Sequence, residues 1–213
     1  MRKKIVLIIL SLLFISACQR EDNSITISVA SSLEQPIRKI ANIYEKESNN
    51  LVSINSASSG TLKKQIENGA DVDLFFSANE DYMNELVKSN IVSKEDIIYP
   101  ISNSLVLIKN NNIKDNVKDI KQIINSNFSI CIGEINTVPV GQYAKDALNN
   151  TGVFDEIKDD IVYAKDATTV LSYVESGNVD LGIVYKSDTK NLKKSSFVYE
   201  FPESTHKKIK YSL

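Results

Sequence analysis

The stretch that most constrains this chain runs from Ser58 to Asn79. Ser58-Ser59-Gly60 opens a short helix, Leu62 and Ile66 place apolar side chains four apart on one face, and Asn68-Gly69 stops it. A strand follows through Val72 and Leu74 to Phe76, broken by Ser77-Ala78-Asn79 before the next helix. Hydroxyl groups and free backbone N–H groups thus gather at a helix N-terminus directly after a strand, an arrangement that receives an anion at low cost.

The same grammar recurs along the chain. Ser24 to Ala30 alternates apolar and small polar residues as a half-buried strand, and Ser31-Ser32 then precede a helix whose inward face is expected to carry Leu33, Ile37, Ile40, Ala41 and Tyr44, with Pro36 in its first turn. Leu51 to Ser56 is a second strand, Asp81 to Lys88 a third helix, and Leu105 to Ile108 a buried strand. Asn110 to Asn127, rich in Asn, Lys, Asp and Ile, is expected to hold a surface helix and no chemistry. Phe128 to Ile132, Asp160 to Tyr163 and Val179 to Tyr185 read as strands, with helices over Val140 to Leu148 and Ala167 to Glu175. Phe197 to Phe201 and Lys207 to Leu213 are short extended pieces. Strands alternating with helices predict an α/β fold of parallel sheets in two lobes.

The 213 residues suffice for one large domain or two small ones, and a net charge of −2 with 24% charged residues offers nucleic acid no basic surface. Met1-Arg2-Lys3-Lys4, the apolar Ile5 to Ile15, and Ser16-Ala17-Cys18 form an export signal ending in a lipobox-like sequence, so Cys18 is expected to be lipidated and Gln19 to Ser24 to act as a tether. An ordinary secretion signal or a membrane anchor is the plainer reading of the same residues. Cys131, the other cysteine, lies in an apolar run and is expected to be a buried, inert thiol. The expected organisation is a signal peptide over 1–18, a tether over 19–24, a first lobe over 25–103, a second over 104–190, and a return crossover to the first lobe over 191–213.

Enzyme chemistry finds little support. His206 is the single histidine, set among lysines near the C-terminus, and reads as a surface or packing residue. No Cys/His cluster has metal-ligand spacing, and neither a phosphate-binding P-loop nor a dinucleotide fingerprint is present. Asp71 and Asp73 read as turn caps bonded to backbone. What recurs is a helix start beside small or hydroxyl residues just after a strand: Ser32, Ser59, Val140-Gly141 and Ala167. Ligands of open α/β sheets bind beyond the carboxyl ends of the strands, where such starts converge, although every α/β protein has helix starts.

Several motifs, in order from about Ser24 to Tyr211, carry a family resemblance. They are Ala30-Ser31-Ser32-Leu33; Ser58-Ser59-Gly60-Thr61-Leu62 with Gln65-Ile66; Gly69-Ala70 and Asp73-Leu74-Phe75-Phe76-Ser77-Ala78; Asn103-Ser104-Leu105-Val106; Val138-Pro139-Val140-Gly141-Gln142-Tyr143-Ala144-Lys145; Gly182-Ile183-Val184-Tyr185 with Ser187-Asp188; and Phe201-Pro202-Glu203 with His206. Together they resemble the molybdate-binding proteins of ABC-type molybdate transporters. The resemblance implies a type II periplasmic-binding-protein fold, two α/β lobes joined by two crossing strands and closing on molybdate or tungstate. Ligand contacts then fall on Ser32 and Ser59 through hydroxyl and backbone N–H, on Val140 and Ala167 through backbone N–H, and on the Tyr185 hydroxyl, so that molybdenum is held only as its oxyanion. Val140 stands where the family often has Ala, and Ala167 where it often has Val; backbone contacts tolerate both. A monomeric, non-enzymatic binding component follows, without cofactor, anchored by lipid outside the membrane in the periplasm or at the cell surface and partnered by an ABC permease. The family also continues beyond the residue matching Leu213 with a strand and helices that complete the first lobe, so a C-terminally truncated first lobe with less core is expected. Another tetrahedral oxyanion such as sulfate, or a lipoprotein that no longer binds ligand, are the alternatives.

Overall fold

The computed structural model describes residues 24–124 and 126–213. The signal peptide, Cys18 and most of the tether lie outside them.

Strand β1 (Ser24–Ala30) is the middle of a three-stranded sheet, flanked in parallel by β2 (Leu51–Ala57) and β3 (Leu74–Phe76). Its alternation of Ile25, Ile27 and Val29 with small polar residues reads as a strand covered on one side, but as the middle strand it is buried on both faces from Ile27 to Ala30, Ser28 included. Asp73 fulfils the backbone role expected of it, its carboxylate accepting the Thr26 N–H at 2.7 Å and its own N–H donating to Thr26 O. Helix α1 (Glu34–Ser48) departs from expectation: Ile37 and Ala41 are buried, but Ile40 and Tyr44 are exposed. Only the stripe at i and i+4 meets the narrow sheet, and residues one position earlier on each turn swing to solvent. Helix α2 (Ser59–Glu67) begins and ends as its sequence predicts, with Ser58 Oγ accepting the Thr61 N–H and Gly69 in the left-handed region at φ 87°. Helix α3 (Glu80–Lys88), capped by Asn79, buries Tyr82, Met83 and Leu86. Around β3 a groove of about 480 Å³ exposes Leu74, Ile91 and Ile98.

The second lobe carries five strands in the order β7-β6-β8-β5-β9. Its members are β5 (Leu105–Asn110), β6 (Ile130–Gly133), β7 (Ile161–Ala164), β8 (Leu181–Tyr185) and β9 (Ser195–Glu200). A wholly parallel sheet was expected, yet β5 runs antiparallel to both β8 and β9, while β6 pairs in parallel with β7 and β8. β5 enters from the lobe junction rather than from a crossover helix, and that route reverses its direction. Within residues 191–213, expected to return to the first lobe, Ser195–Glu200 first adds the edge strand β9 to the second sheet, and residues 209–212 then reach back to the first lobe. Helices α4 (Pro139–Asn150), the short α5 (Phe154–Ile157) and α6 (Ala167–Ser176) complete the lobe.

No α-helix forms within the described part of 110–127. One 3₁₀ turn over Ile120–Ile123, held by a capping box between Asp119 and Gln122, lets Val117, Ile120 and Ile123 bury three apart. The surface helix expected there is replaced by this shorter, tighter turn.

Between the lobes, β4 (Ile101–Asn103) and β10 (Ile209–Tyr211) pair antiparallel, and Ser212 bridges Ser77 at the end of the first sheet. One apolar core runs through this junction, from Val29 and Ala30 through Tyr185 and Tyr211 to Leu105 and Ile183. Cys131 is fully buried, and burial pushes its thiol up to about 12. Iodoacetamide at neutral pH is accordingly expected to label Cys131 only after denaturant is added, as read by mass spectrometry.

Candidate functional site

A small cavity lies where the carboxyl ends of β1, β2 and β6 face each other across the lobe junction. Its walls are Ser31 and Ser32, Ser58 and Ser59, Ala78, Val138 to Val140, Ala167 and Tyr185, together with Ala30. Its free volume is about 10 Å³, room for about one water-sized group. All five residues singled out from the sequence, Ser32, Ser59, Val140, Ala167 and Tyr185, therefore meet in one place.

Each arrives for a local reason. Ser59, Val140 and Ala167 occupy the first turns of α2, α4 and α6, where backbone N–H groups have no intrahelical acceptor. Helix α4 starts with Pro139 at its first position and no side-chain cap. Its first turn lies so close to the end of β6 that a Cβ on Gly141 would come within 2.0 Å of Gly133 O. That backbone-to-backbone packing aims the uncapped end of α4 into the cavity. The positive ends of three helix dipoles thus face one point.

The hydroxyls are disposed as donors. Ser59 Oγ already accepts the Ala78 N–H at 2.9 Å, which leaves the Ser59 proton free to point into the cavity. Tyr185 is 1% exposed, and its hydroxyl has no hydrogen-bond partner among the described residues. Burial raises its pKa well above the ordinary tyrosine value, so it stays protonated. None of the cavity residues bears a charged side chain. Chemically the site offers many hydrogen-bond donors and no formal charge, no nucleophile with a base beside it, and no metal-ligating group, which suits an anion rich in acceptors. Among the described residues no cluster of His, Cys, Asp and Glu has metal-site geometry.

Hydrogen bonds across the junction hold the lobes together around it. Gly60 N–H donates to Thr137 O at 3.0 Å, and Thr168 Oγ1 donates to Ser31 O at 3.2 Å. Gln142 is the hub of a second set: its Nε2 donates to Tyr82 Oη at 2.6 Å, its Oε1 accepts from Asn79 Nδ2 at 2.8 Å, and Tyr82 Oη donates to Asn136 O at 3.3 Å. No local signal marks Asn79, Tyr82 or Gln142 in the sequence, because their partners lie about sixty residues away. His206 has the packing role expected of it, edge-to-face against Tyr143 at 6.1 Å.

Asp188 sits just past Tyr185 with its Oδ2 buried and without a hydrogen-bond partner among the described residues, and burial pushes its carboxyl up to about 7 against the backbone and Ser187 hydrogen bonds that lower it. A carboxyl raised in the fold contributes stability that is complete below its unfolded value and is lost as pH rises through the folded one. Stability from this group therefore falls between about pH 4 and pH 7. Asp188→Asn is expected to raise the melting temperature at pH 8 by several degrees while changing it little at pH 4, in paired thermal denaturation curves.

The family model described as bacterial extracellular solute-binding protein matches residues 25–213. The chain belongs to this family. This solute-binding protein is 40% identical over 191 residues to the provisionally named ABC transporter substrate-binding lipoprotein YvgL of Bacillus subtilis (strain 168), covering 89% of this chain and 73% of that one. It is 35% identical over 198 residues to the molybdate-binding protein ModA of Escherichia coli (strain K12), covering 91% and 77%. The periplasmic molybdate-binding protein of Azotobacter vinelandii shares its fold, with a TM-score of 0.76 at 23% identity over 88% of this chain and 83% of that one.

Proposed function

We propose that this solute-binding protein captures molybdate, or tungstate, outside the cytoplasmic membrane and presents it to an ABC permease. The observation that carries the reading is the buried, partnerless Tyr185 hydroxyl facing a charge-free cavity at three helix N-termini. Leaving such a donor unpaired costs about 1–3 kcal/mol, a cost removed when a ligand oxygen accepts from it. Ser32 and Ser59 donate through hydroxyl and backbone N–H, Val140 and Ala167 through backbone N–H, and Tyr185 through its phenol. The names of YvgL and ModA support the transport role and the ligand.

Selectivity follows from the donor set. A cage made only of donors favours a tetrahedral dianion that carries no proton at neutral pH, since an acidic O–H would face another donor. Preference over sulfate then rests on donors spaced for the longer Mo–O bonds, which the shorter S–O bonds would leave stretched. The lobes close over the ion, water is excluded, and the closed surface is what the permease recognises. Cys18, outside the described residues, is the proposed lipid anchor.

Thermal melts of the mature chain from Gln19 test this reading. With molybdate at about a thousandfold excess over its dissociation constant the midpoint is expected to rise by about 10 °C. Sulfate at the same concentration should leave it nearly unchanged. An equal rise with sulfate would reassign the ligand, and no rise with either ion would remove the transport reading.

A further inference from the structure

Ser32 differs from the other donors because its hydroxyl is tied to the strands that join the lobes. Tyr211 on β10 is fully buried, and its Oη lies 3.2 Å from Ser32 Oγ and 3.1 Å from Asn103 Nδ2 on β4. Asn103 Oδ1 accepts two backbone N–H groups, from Ser104 at 3.0 Å and Ser187 at 3.3 Å, which fixes the amide with its nitrogen on the opposite side. That nitrogen uses one proton on Ser187 Oγ at 2.9 Å and the other on Tyr211 Oη. Tyr211 Oη thus accepts from Asn103, and its own proton has Ser32 Oγ as its one acceptor among the described residues. With its oxygen accepting from Tyr211, Ser32 is left with a proton to place in the cavity.

We propose that Tyr211 is a positioning residue for oxyanion capture, which through a one-way chain of hydrogen bonds from Asn103 holds the Ser32 hydroxyl as a donor to the ligand. The inference rests on the oxyanion reading of the cavity. Ser59 reaches the same state through the Ala78 N–H, so the two serines are donors by the same logic with different supports. Each bond in the chain polarises the next, which strengthens the last donor toward an anion. Because β4 and β10 are the lobe-joining strands, the chain also sets where Ser32 stands relative to the second lobe.

The test is a double-mutant cycle on the mature chain, with molybdate affinity read by titration calorimetry and folding by thermal melts without ligand. Tyr211→Phe is expected to weaken affinity by about five- to tenfold with the ligand-free melt preserved. Ser32→Ala should weaken it more, and the double variant should match Ser32→Ala alone. An unchanged affinity in Tyr211→Phe, or losses that simply add, would overturn the proposal. If Tyr211→Phe does not fold, Asn103→Ala carries the same test from the upstream end: a loss that Ser32→Ala abolishes supports the chain, and an additive loss overturns it. A wild-type protein that binds no molybdate overturns the oxyanion reading and this inference together, whereas wild-type binding with an indifferent Tyr211→Phe overturns the inference alone.

Discussion

Replacing Gly60 by alanine is expected to weaken molybdate binding by about 10- to 100-fold while leaving the ligand-free protein folded. Gly60 is in the first turn of α2, on the first lobe, and its N–H meets Thr137 O on the second. A Cβ there would stand 2.6 Å from that carbonyl oxygen and 2.9 Å from Thr137 Cα. Both are backbone atoms, so no rotamer change relieves the overlap, and the lobes must part by a few tenths of an ångström or more. The third neighbour, Tyr82 Oη at 2.9 Å, is the end of a side chain and can yield. Alanine is intrinsically better than glycine in a helix by about 1 kcal/mol, so α2 itself gains nothing but stability. The penalty falls on lobe closure, and therefore on the ligand. Calorimetry reads the affinity, and small-angle scattering should show the wild-type contracting with molybdate more than Gly60→Ala does. Wild-type affinity in the variant would mean that the lobes do not meet at Thr137 in the bound state.

Tyr185→Phe is expected to move affinity and stability in opposite directions. The hydroxyl is buried with no partner among the described residues while the lobes are in contact, so its removal relieves a desolvated polar group and should stabilise this closed, ligand-free arrangement by about 1–3 kcal/mol. The same hydroxyl is the donor proposed to meet a ligand oxygen, and a hydrogen bond to a charged acceptor contributes about 1.5–3 kcal/mol, or about 10- to 100-fold in affinity. The ring remains to pack against Tyr211, 5.8 Å away between centroids. Urea denaturation without ligand reads the first effect and titration the second. A tyrosine that serves only for packing would leave affinity unchanged, and that outcome would remove Tyr185 from the ligand set.

The parts of this molecule that were legible in the sequence are those written in neighbouring residues. The Ser58 cap and the Asn68-Gly69 stop bound α2 within one residue, because capping and a left-handed glycine act over a single turn. The run Ser24 to Ala30 reads directly as β1. The helix starts at Ser59, Val140 and Ala167 each follow the carboxyl end of a strand, and the two sheets turn those ends toward each other across the lobe junction, so they converge on one cavity. Less accessible was anything decided by distant pairing. The antiparallel setting of β5 between β8 and β9 depends on how the chain enters the second lobe, and its apolar run Leu105 to Ile108 looks the same in either direction. Ile40 and Tyr44 have the periodicity of an inward face, but the sheet beneath α1 is too narrow to cover them. Gln142 and Tyr211 act through partners far along the chain, and nothing beside them in the sequence announces it. The ligand itself was suggested by motif resemblance rather than by any of these physical signals.

The charge-free cavity at the lobe junction is proposed as a cage for a tetrahedral dianion. Isothermal titration of the mature chain from Gln19 with molybdate tests it most directly, with sulfate as the control ion and Ser59→Ala as the second protein. Ser59 lines the cavity and holds its free proton toward it by accepting from Ala78 N–H. The prediction is tight binding of molybdate at one site, little heat with sulfate, and a clear loss of affinity in Ser59→Ala. A folded wild-type protein that gives no heat with molybdate, or a Ser59→Ala variant that binds as well as wild type, would contradict it.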